Sequence, residues 1–189
     1  MAERLLLDPA GSHFQIDTAS EADASALREL HVLSWADAYV SLLTPAFYRE
    51  RLSRHRERDW TSLIRGQQEA GGGVLVARGA DGLLGLCQYG PSEDDDELSA
   101  NVGHIHRLYV HPVVHRHGVG RVLLLAAAER LTALSPRRLT LWVLENDPRA
   151  RAFYERLGWR ADGARRFDGA WDLRYRKDLA QTSSRRPAG

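Results

Sequence analysis

Apolar residues recur along the chain with two different periods, and each change of period marks an element. Phe14 and Ile16 alternate with polar neighbours, which predicts a short strand over Phe14–Asp17. Ser20 is a good N-cap for a helix carrying Leu27, Leu30 and Ser34-Trp35. Thr44-Pro45 starts a second helix with proline at its first position, and Trp60, Leu63 and Ile64 mark a third. Gly71-Gly72-Gly73 ends the helical region. Val74–Arg78 and Leu83–Tyr89 then read as strands joined by the turn Ala80-Asp81-Gly82. His104–Val110 also alternates, so His104, His106, Leu108 and Val110 are expected on one face of a strand. From Gly118 onward, Val119, Val122, Leu123, Ala126, Ala127, Leu131 and Leu134 fall on one face of a helix. Arg138–Leu144 is a further strand, and Pro148–Leu157 a helix closed by Gly158. Trp159–Arg166 and Trp171–Lys177 form a last pair of strands around Asp168-Gly169.

This order predicts one mixed α/β domain around a single sheet, over residues 13–180. Residues 1–12, with Pro9-Ala10-Gly11, and the polar stretch 181–189 are expected to be a flexible N-terminus and a disordered tail. Composition adds exclusions. With 189 residues, 43% apolar and 27% charged, the chain suits one globular domain, and a net charge of +1 argues against a nucleic-acid partner. Arg137-Arg138 and Arg185-Arg186 are too few to change that. Cys87 is the sole cysteine, which rules out an intrachain disulfide. The apolar run Leu5–Leu7 is short for a secretion signal or a membrane span, so a cytoplasmic location away from membranes is expected.

Among the histidines, His104, His106, His111, His115 and His117 cluster in sequence, but no cysteine pair or nearby carboxylate completes a metal set. No metal is expected. The acidic run Glu93–Glu97 reads either as a solvated loop or as an attractor for a basic molecule.

The most informative stretch lies between His111-Pro112 and the Val119 helix. Where a strand turns into a helix, the first amides lack intrahelical partners and the helix dipole favours an anion. Gly118 and Gly120 would let an anion's oxygens approach those amides, and Arg116 and Arg121 can add charge at the rim. The spacing is not that of a Walker loop, and the third glycine of a dinucleotide fold is missing.

Leu108-Tyr109-Val110-His111-Pro112 followed by Arg116-His117-Gly118-Val119-Gly120-Arg121 resembles the acetyl-CoA motif of the GNAT superfamily, written Q/R-x-x-G-x-G/A. Leu141-Trp142-Val143 with Pro148 through Trp159 resembles that superfamily's next motif, and Leu33 through Tyr39 with Leu42-Leu43-Thr44-Pro45 its substrate-side opening. His115 takes the loop position usually held by Gln or Arg, and Asp147, preceded by Asn146, the position usually held by Asn.

The resemblance implies a mixed, mostly antiparallel sheet of about seven strands flanked by about four to five helices. It implies an N-acetyltransferase that moves an acetyl group directly from acetyl-CoA, a cosubstrate, to an amine of a small molecule or peptide. Acetyl-CoA would be held by Leu108, Tyr109 and Val110, by His115, Arg116, His117, Gly118, Val119, Gly120 and Arg121, and by Asn146, Asp147, Ala150 and Phe153. A backbone amide at a bulge in the Leu108–Val110 strand would hold the thioester oxygen. Tyr154 is implied as general acid to the departing thiolate; read without the resemblance, Phe153, Tyr154 and Leu157 are core residues at helical spacing. His104, at a position where many relatives carry glutamate, and His106 are candidate bases, each otherwise a polar strand residue. Asp37 and Glu145 are carboxylate alternatives that could instead bind a cationic substrate, and Trp35, Tyr39 and Trp142 are candidates to line its pocket. A non-catalytic acyl-CoA-binding module is the rival reading. Family members pair in several ways, so a homodimer stays open.

Overall fold

The computed structural model describes residues 6–7, 13–94 and 101–179. Strands β1 (Leu6–Leu7) and β2 (His13–Thr18) come first, then helices α1 (Ala24–Tyr39), α2 (Pro45–Arg56) and α3 (Trp60–Glu69). They are followed by β3 (Gly73–Gly79), β4 (Gly82–Pro91), β5 (Val102–Val110), α4 (Val119–Thr132), β6 (Arg138–Leu144), α5 (Pro148–Arg156), β7 (Arg160–Phe167) and β8 (Trp171–Asp178). One sheet runs in the order β1-β2-β3-β4-β5-β6-β8-β7, and β5–β6 is its parallel pair among antiparallel ones. That matches the expected mixed, mostly antiparallel sheet, with β1 adding a two-residue pairing within the stretch expected to be flexible. The tail expected over 181–189 lies outside the described residues.

Local chemistry accounts for the helix starts. Ser20 precedes a single 3-10 turn, Glu21–Asp23, and donates to the Asp23 carboxylate from its N–H (2.9 Å) and its hydroxyl (3.1 Å) before α1 begins. Pro45 and Pro148 occupy first-turn positions, and the Asp59 carboxylate accepts from Ser62 N–H at 3.1 Å to cap α3. Helix α4 ends at Thr132, earlier than periodicity predicts. The chain turns at Ser135 (φ +53°), and Leu134 is left exposed instead of joining the apolar face.

The sheet carries a core on each face. On one, α4 presents Val119, Leu123, Ala127 and Leu131 to Leu75, Cys87, Ile105 and Leu141. On the other, Leu27 and Leu30 of α1 and Trp60 and Ile64 of α3 cover Val74, Val76 and Leu86. Because α4 is the connection that crosses from β5 to its parallel neighbour β6, its N-terminus lies at the C-terminal end of β5. The β7–β8 turn reaches back to α2: Asp168 pairs with Arg51, and a Cβ built on Gly169 (φ +76°) would lie 2.0 Å from the Phe47 ring. Replacing Gly169 with alanine therefore combines a left-handed backbone penalty with overlap against Phe47. A loss of roughly 2–4 kcal/mol is expected, read from the urea unfolding midpoint.

Two buried histidines join α1 and α2. The His31 and His55 rings lie 4.6 Å apart, with Tyr109 4.8 Å from His31 and Trp35 4.7 Å from His55. Neither His31 nitrogen, nor His55 Nδ1, has a hydrogen-bond partner among the described residues. Burial first, then their mutual charge in the case of His31 and the nearby arginines, push His31 down to about 2 and His55 to about 4. Below about pH 6.5 the unfolded chain binds protons that these rings in the folded chain refuse, so stability falls with pH. Unfolding free energy should be flat with respect to these groups above pH 6.5. It should drop between pH 6.5 and 4 by up to about 1.4 kcal/mol per pH unit for each histidine. Urea titrations of wild type and His55→Asn check this: the variant's slope should be shallower by about one proton.

Candidate active site

Strands β5 and β6 pair over four positions, from Val102↔Arg138 to Ile105↔Leu141, and pairing then stops. At the same level, on the other edge of β5, the register with β4 slips: Tyr89 faces Ile105 and Gln88 faces Arg107, so His106 is an extra residue in a bulge. From there His106–Val110 form one wall of a cleft of about 580 Å³, and Trp142 and Val143 stand on the other. The bulge overturns the expected alternation. His104 and His106 lie ring to ring, 4.9 Å apart, whereas Leu108 and Val110 pack into the α4 core. Arg107 follows His106 toward the α1 side, where Tyr109 packs with the Leu27 cluster and Arg107 Nη1 donates to Gln88.

The N-terminus of α4 opens into one end of the cleft. Gly118 (φ +85°) is its N-cap, and the preceding loop includes Arg116 at φ +67°, a left-handed position that non-glycine residues rarely take. The first bond into the helix runs from Val122 N–H to Gly118 C=O, so the N–H groups of Val119, Gly120 and Arg121 precede it and are left for another acceptor. A Cβ at Gly118 would meet nothing within 4 Å, and one at Gly120 would press on Val110 Cγ2 at 3.2 Å and reach Phe153 at 3.8 Å. Arg116 and Arg121 line the cleft. His115 Nε2 lies 3.1 Å from Val110 C=O; a carbonyl only accepts, so Nε2 carries the proton and ties the loop to the end of β5. His117 is exposed, donates from Nδ1 to His115 C=O at 2.8 Å, and stands outside the lining.

Helix α5 supplies the opposite wall. The buried Asp147 carboxylate accepts from Ala150 N–H at 2.9 Å and caps it, and Asp147, Ala150, Phe153 and Tyr154 line the cleft. Asn146 instead donates to Leu42 C=O at 3.0 Å, fastening the β6–α5 turn to the segment after α1. Tyr154 packs edge-on between Phe153 and Trp159. Burial, reinforced by Cys87, Tyr109 and Asp147, raises its phenol well above the ordinary value, so it is a proton-bearing donor at neutral pH.

On the α1 side, Ser34, Ala38 and Tyr39 line the cleft. Trp35 stacks on Tyr48 at 5.3 Å and is buried behind the wall. Asp37 is exposed on α1, and Glu145 pairs with Arg165 at 2.7 Å; neither lines the cleft. Of the two candidate histidines, His106 lines it, with a buried Nε2 that has no partner among the described residues. Burial lowers its pKa against the pull of Glu93, so the ring is neutral at pH 7. His104 lies beneath, its Nδ1 2.8 Å from Thr140 Oγ1, with burial and His106 holding it well below the ordinary value. The acidic run is put to structural use where it is described: Asp94 accepts from Trp142 Nε1 at 3.0 Å and pairs with Arg174, while residues 95–97 lie outside the described residues. Ser34 and Ala38 lie in the stretch read as the substrate-side opening without being named as site residues, and Arg107 is not singled out from sequence: it becomes a cleft residue through the bulge, which leaves no periodic trace.

Comparison with known proteins agrees with this geometry. Residues 27–159 match the model of the acetyltransferase (GNAT) family. The chain is 26% identical over 127 residues to the uncharacterized N-acetyltransferase YuaI of Bacillus subtilis, covering 67% of this chain and 69% of that protein. Its fold is similar to that of the PaiA N-acetyltransferase of Thermoplasma acidophilum, solved with coenzyme A (TM-score 0.73, 20% identity, 88% of this chain and 99% of that one). It is also similar to YncA of Salmonella typhimurium, a putative acetyltransferase solved with acetyl-CoA (TM-score 0.65, 18% identity, 93% and 99% covered). With a family match over most of its length and a cleft built where the parallel strands β5 and β6 separate, the chain belongs to the acetyltransferase (GNAT) family.

Proposed function

We propose that the protein transfers an acetyl group from acetyl-CoA directly to a primary amine. One observation carries the reading: the residues whose amides are free at the start of α4 and the protonated Tyr154 line the same cleft. The two solved relatives that hold coenzyme A or acetyl-CoA support the choice of cosubstrate. The residues fit it: the Val119–Arg121 amides with Arg116 and Arg121 suit a diphosphate, and Gly120 keeps the space beside Val110 and Phe153 clear for the chain that follows.

Three demands of the reaction then fall on named groups. The acceptor amine, protonated in water with a pKa of roughly 10.4, must lose a proton before it attacks. His106 is the group we assign, being neutral, lining the cleft and having a buried Nε2 without a hydrogen-bond partner among the described residues. Main-chain N–H groups at the β5 bulge, fixed before reaction, suit the oxygen that gains charge as the nitrogen bonds to the carbonyl carbon. When the carbon–sulfur bond breaks, Tyr154 donates its proton to the leaving thiolate and recovers one from the newly bonded nitrogen.

Tyr154→Phe should lower kcat by about 10²-fold or more while the Kd for CoA changes by less than about threefold. Gly120→Val should weaken CoA at least tenfold, by filling the gap beside Val110. Calorimetry with CoA and a thiol-release assay over a panel of amines measure both. CoA binding with no amine acetylated, and no effect of Tyr154→Phe, would leave a binding module and end the enzyme reading. His106→Ala should cut kcat/KM by about 10²-fold and remove the acid limb of its pH profile, whereas an unchanged profile would withdraw His106 as base.

A further inference from the structure

The acceptor side of the cleft holds cations that the protein leaves without counter-charge. Arg107 lines it, and among the described residues the hydrogen-bond partner of its guanidinium is the neutral amide of buried Gln88. Arg58, at the start of the α2–α3 connection, has a buried Nε without a hydrogen-bond partner among the described residues. Neither arginine has a carboxylate within ion-pair distance among the described residues, and Glu93 acts on Arg107 from farther away. Other arginines of the sheet and helices, among them Arg51, Arg65, Arg78, Arg160, Arg165 and Arg166, each pair with an aspartate or glutamate, and Arg107 differs from exposed arginines without such a pair in being largely buried.

Desolvation and the neighbouring Arg58 depress Arg107 to about 10, so both guanidinia keep their charge at neutral pH while repelling each other. A partly buried, unpaired charge is costly, and a pair of like sign more so. More unmet donors stand beside them. Ser34 lines the cleft at 3% exposure, and among the described residues neither its hydroxyl nor the nitrogens of His31, whose ring packs on Tyr109, have a hydrogen-bond partner. The acidic alternative is weak here, because Asp94 is already engaged by Trp142 and Arg174.

Resting on the acetyltransferase reading, we propose that the acceptor is an amine that also carries an oxyanion, a carboxylate or a phosphate, which docks on Arg107 with Arg58 behind it and Ser34 as a further donor. A planar guanidinium offers two parallel N–H groups to such an anion, and the low local dielectric strengthens the pair. The amine at the other end of the molecule is then held near His106, which adjoins Arg107 in the bulge.

The test compares matched amines in the thiol-release assay with acetyl-CoA and wild-type protein: 4-aminobutyrate against butylamine, an amino acid against its carboxamide, and O-phosphoethanolamine against ethanolamine. Spermidine serves as the polycation. In at least one pair the anionic member should have the higher kcat/KM, by about 10- to 100-fold, mostly through KM; which pair responds separates carboxylate from phosphate. In Arg107→Gln and Arg58→Gln, checked for folding by thermal melting, that ratio should collapse toward one, and Arg107→Lys should restore part of it. Neutral amines or spermidine used as well as or better than every anionic partner would overturn the inference and leave the acetyltransferase reading standing. So would a ratio unmoved in both glutamine variants. No thiol release above the amine-free background with any of the amines would remove that reading, and the inference with it.

Discussion

Everything at the cleft depends on where two parallel strands stop pairing. β5 and β6 share four residue pairs and then separate, so main-chain groups that would have bonded to each other face a gap instead. A sheet does not leave such an edge open inside its own core without a use for it. Here the gap is walled by α5 and floored by the start of α4, because the right-handed crossover from β5 to β6 brings that helix N-terminus to the same end of the sheet. The separation and the unpaired amides at the start of α4 thus share one topological origin.

The bulge at His106 does a second job. In a regular strand His106 and Arg107 would point to opposite faces; the extra residue turns both toward α1 while Leu108 and Val110 remain in the α4 core. A neutral base candidate and a cation are thereby placed side by side above the β5 edge. Packing around them is apolar on the α4 face, but the α1 face carries polar atoms without partners among the described residues, including Ser34 Oγ, both His31 nitrogens, His55 Nδ1 and Arg58 Nε. Such groups weaken a fold unless something meets them, which is why the acceptor side is the better place to look for specificity.

Tyr154 illustrates how burial creates chemistry. The same enclosure among Phe153, Trp159 and Tyr175 that marks it as a core aromatic also keeps its phenol protonated, and the remaining open side faces the cleft. The core reading and the functional reading of this residue are therefore not in competition. Trp35 behaves differently, its ring being spent on Tyr48, Tyr39 and His55.

The sequence alone determined the order of elements from β2 onward and the glycine-bearing turn into α4, because these rest on short-range patterns: period-two and period-3.6 apolar spacing, prolines and capping residues at helix starts, and glycines at the α4 turn. It also carried the residues of both motifs close to their final places, with Leu108–Val110, Gly118–Arg121, Asp147, Phe153 and Tyr154 all lining one cleft. Tertiary structure decided which polar groups meet there. His104 went to Thr140, Asn146 to Leu42 and Glu145 to Arg165, while Arg107 entered. The physical reason is that a bulge and a halted strand pairing are properties of two strands at once. Periodicity within one strand records neither the slipped register nor the partner that each side chain finds across the sheet.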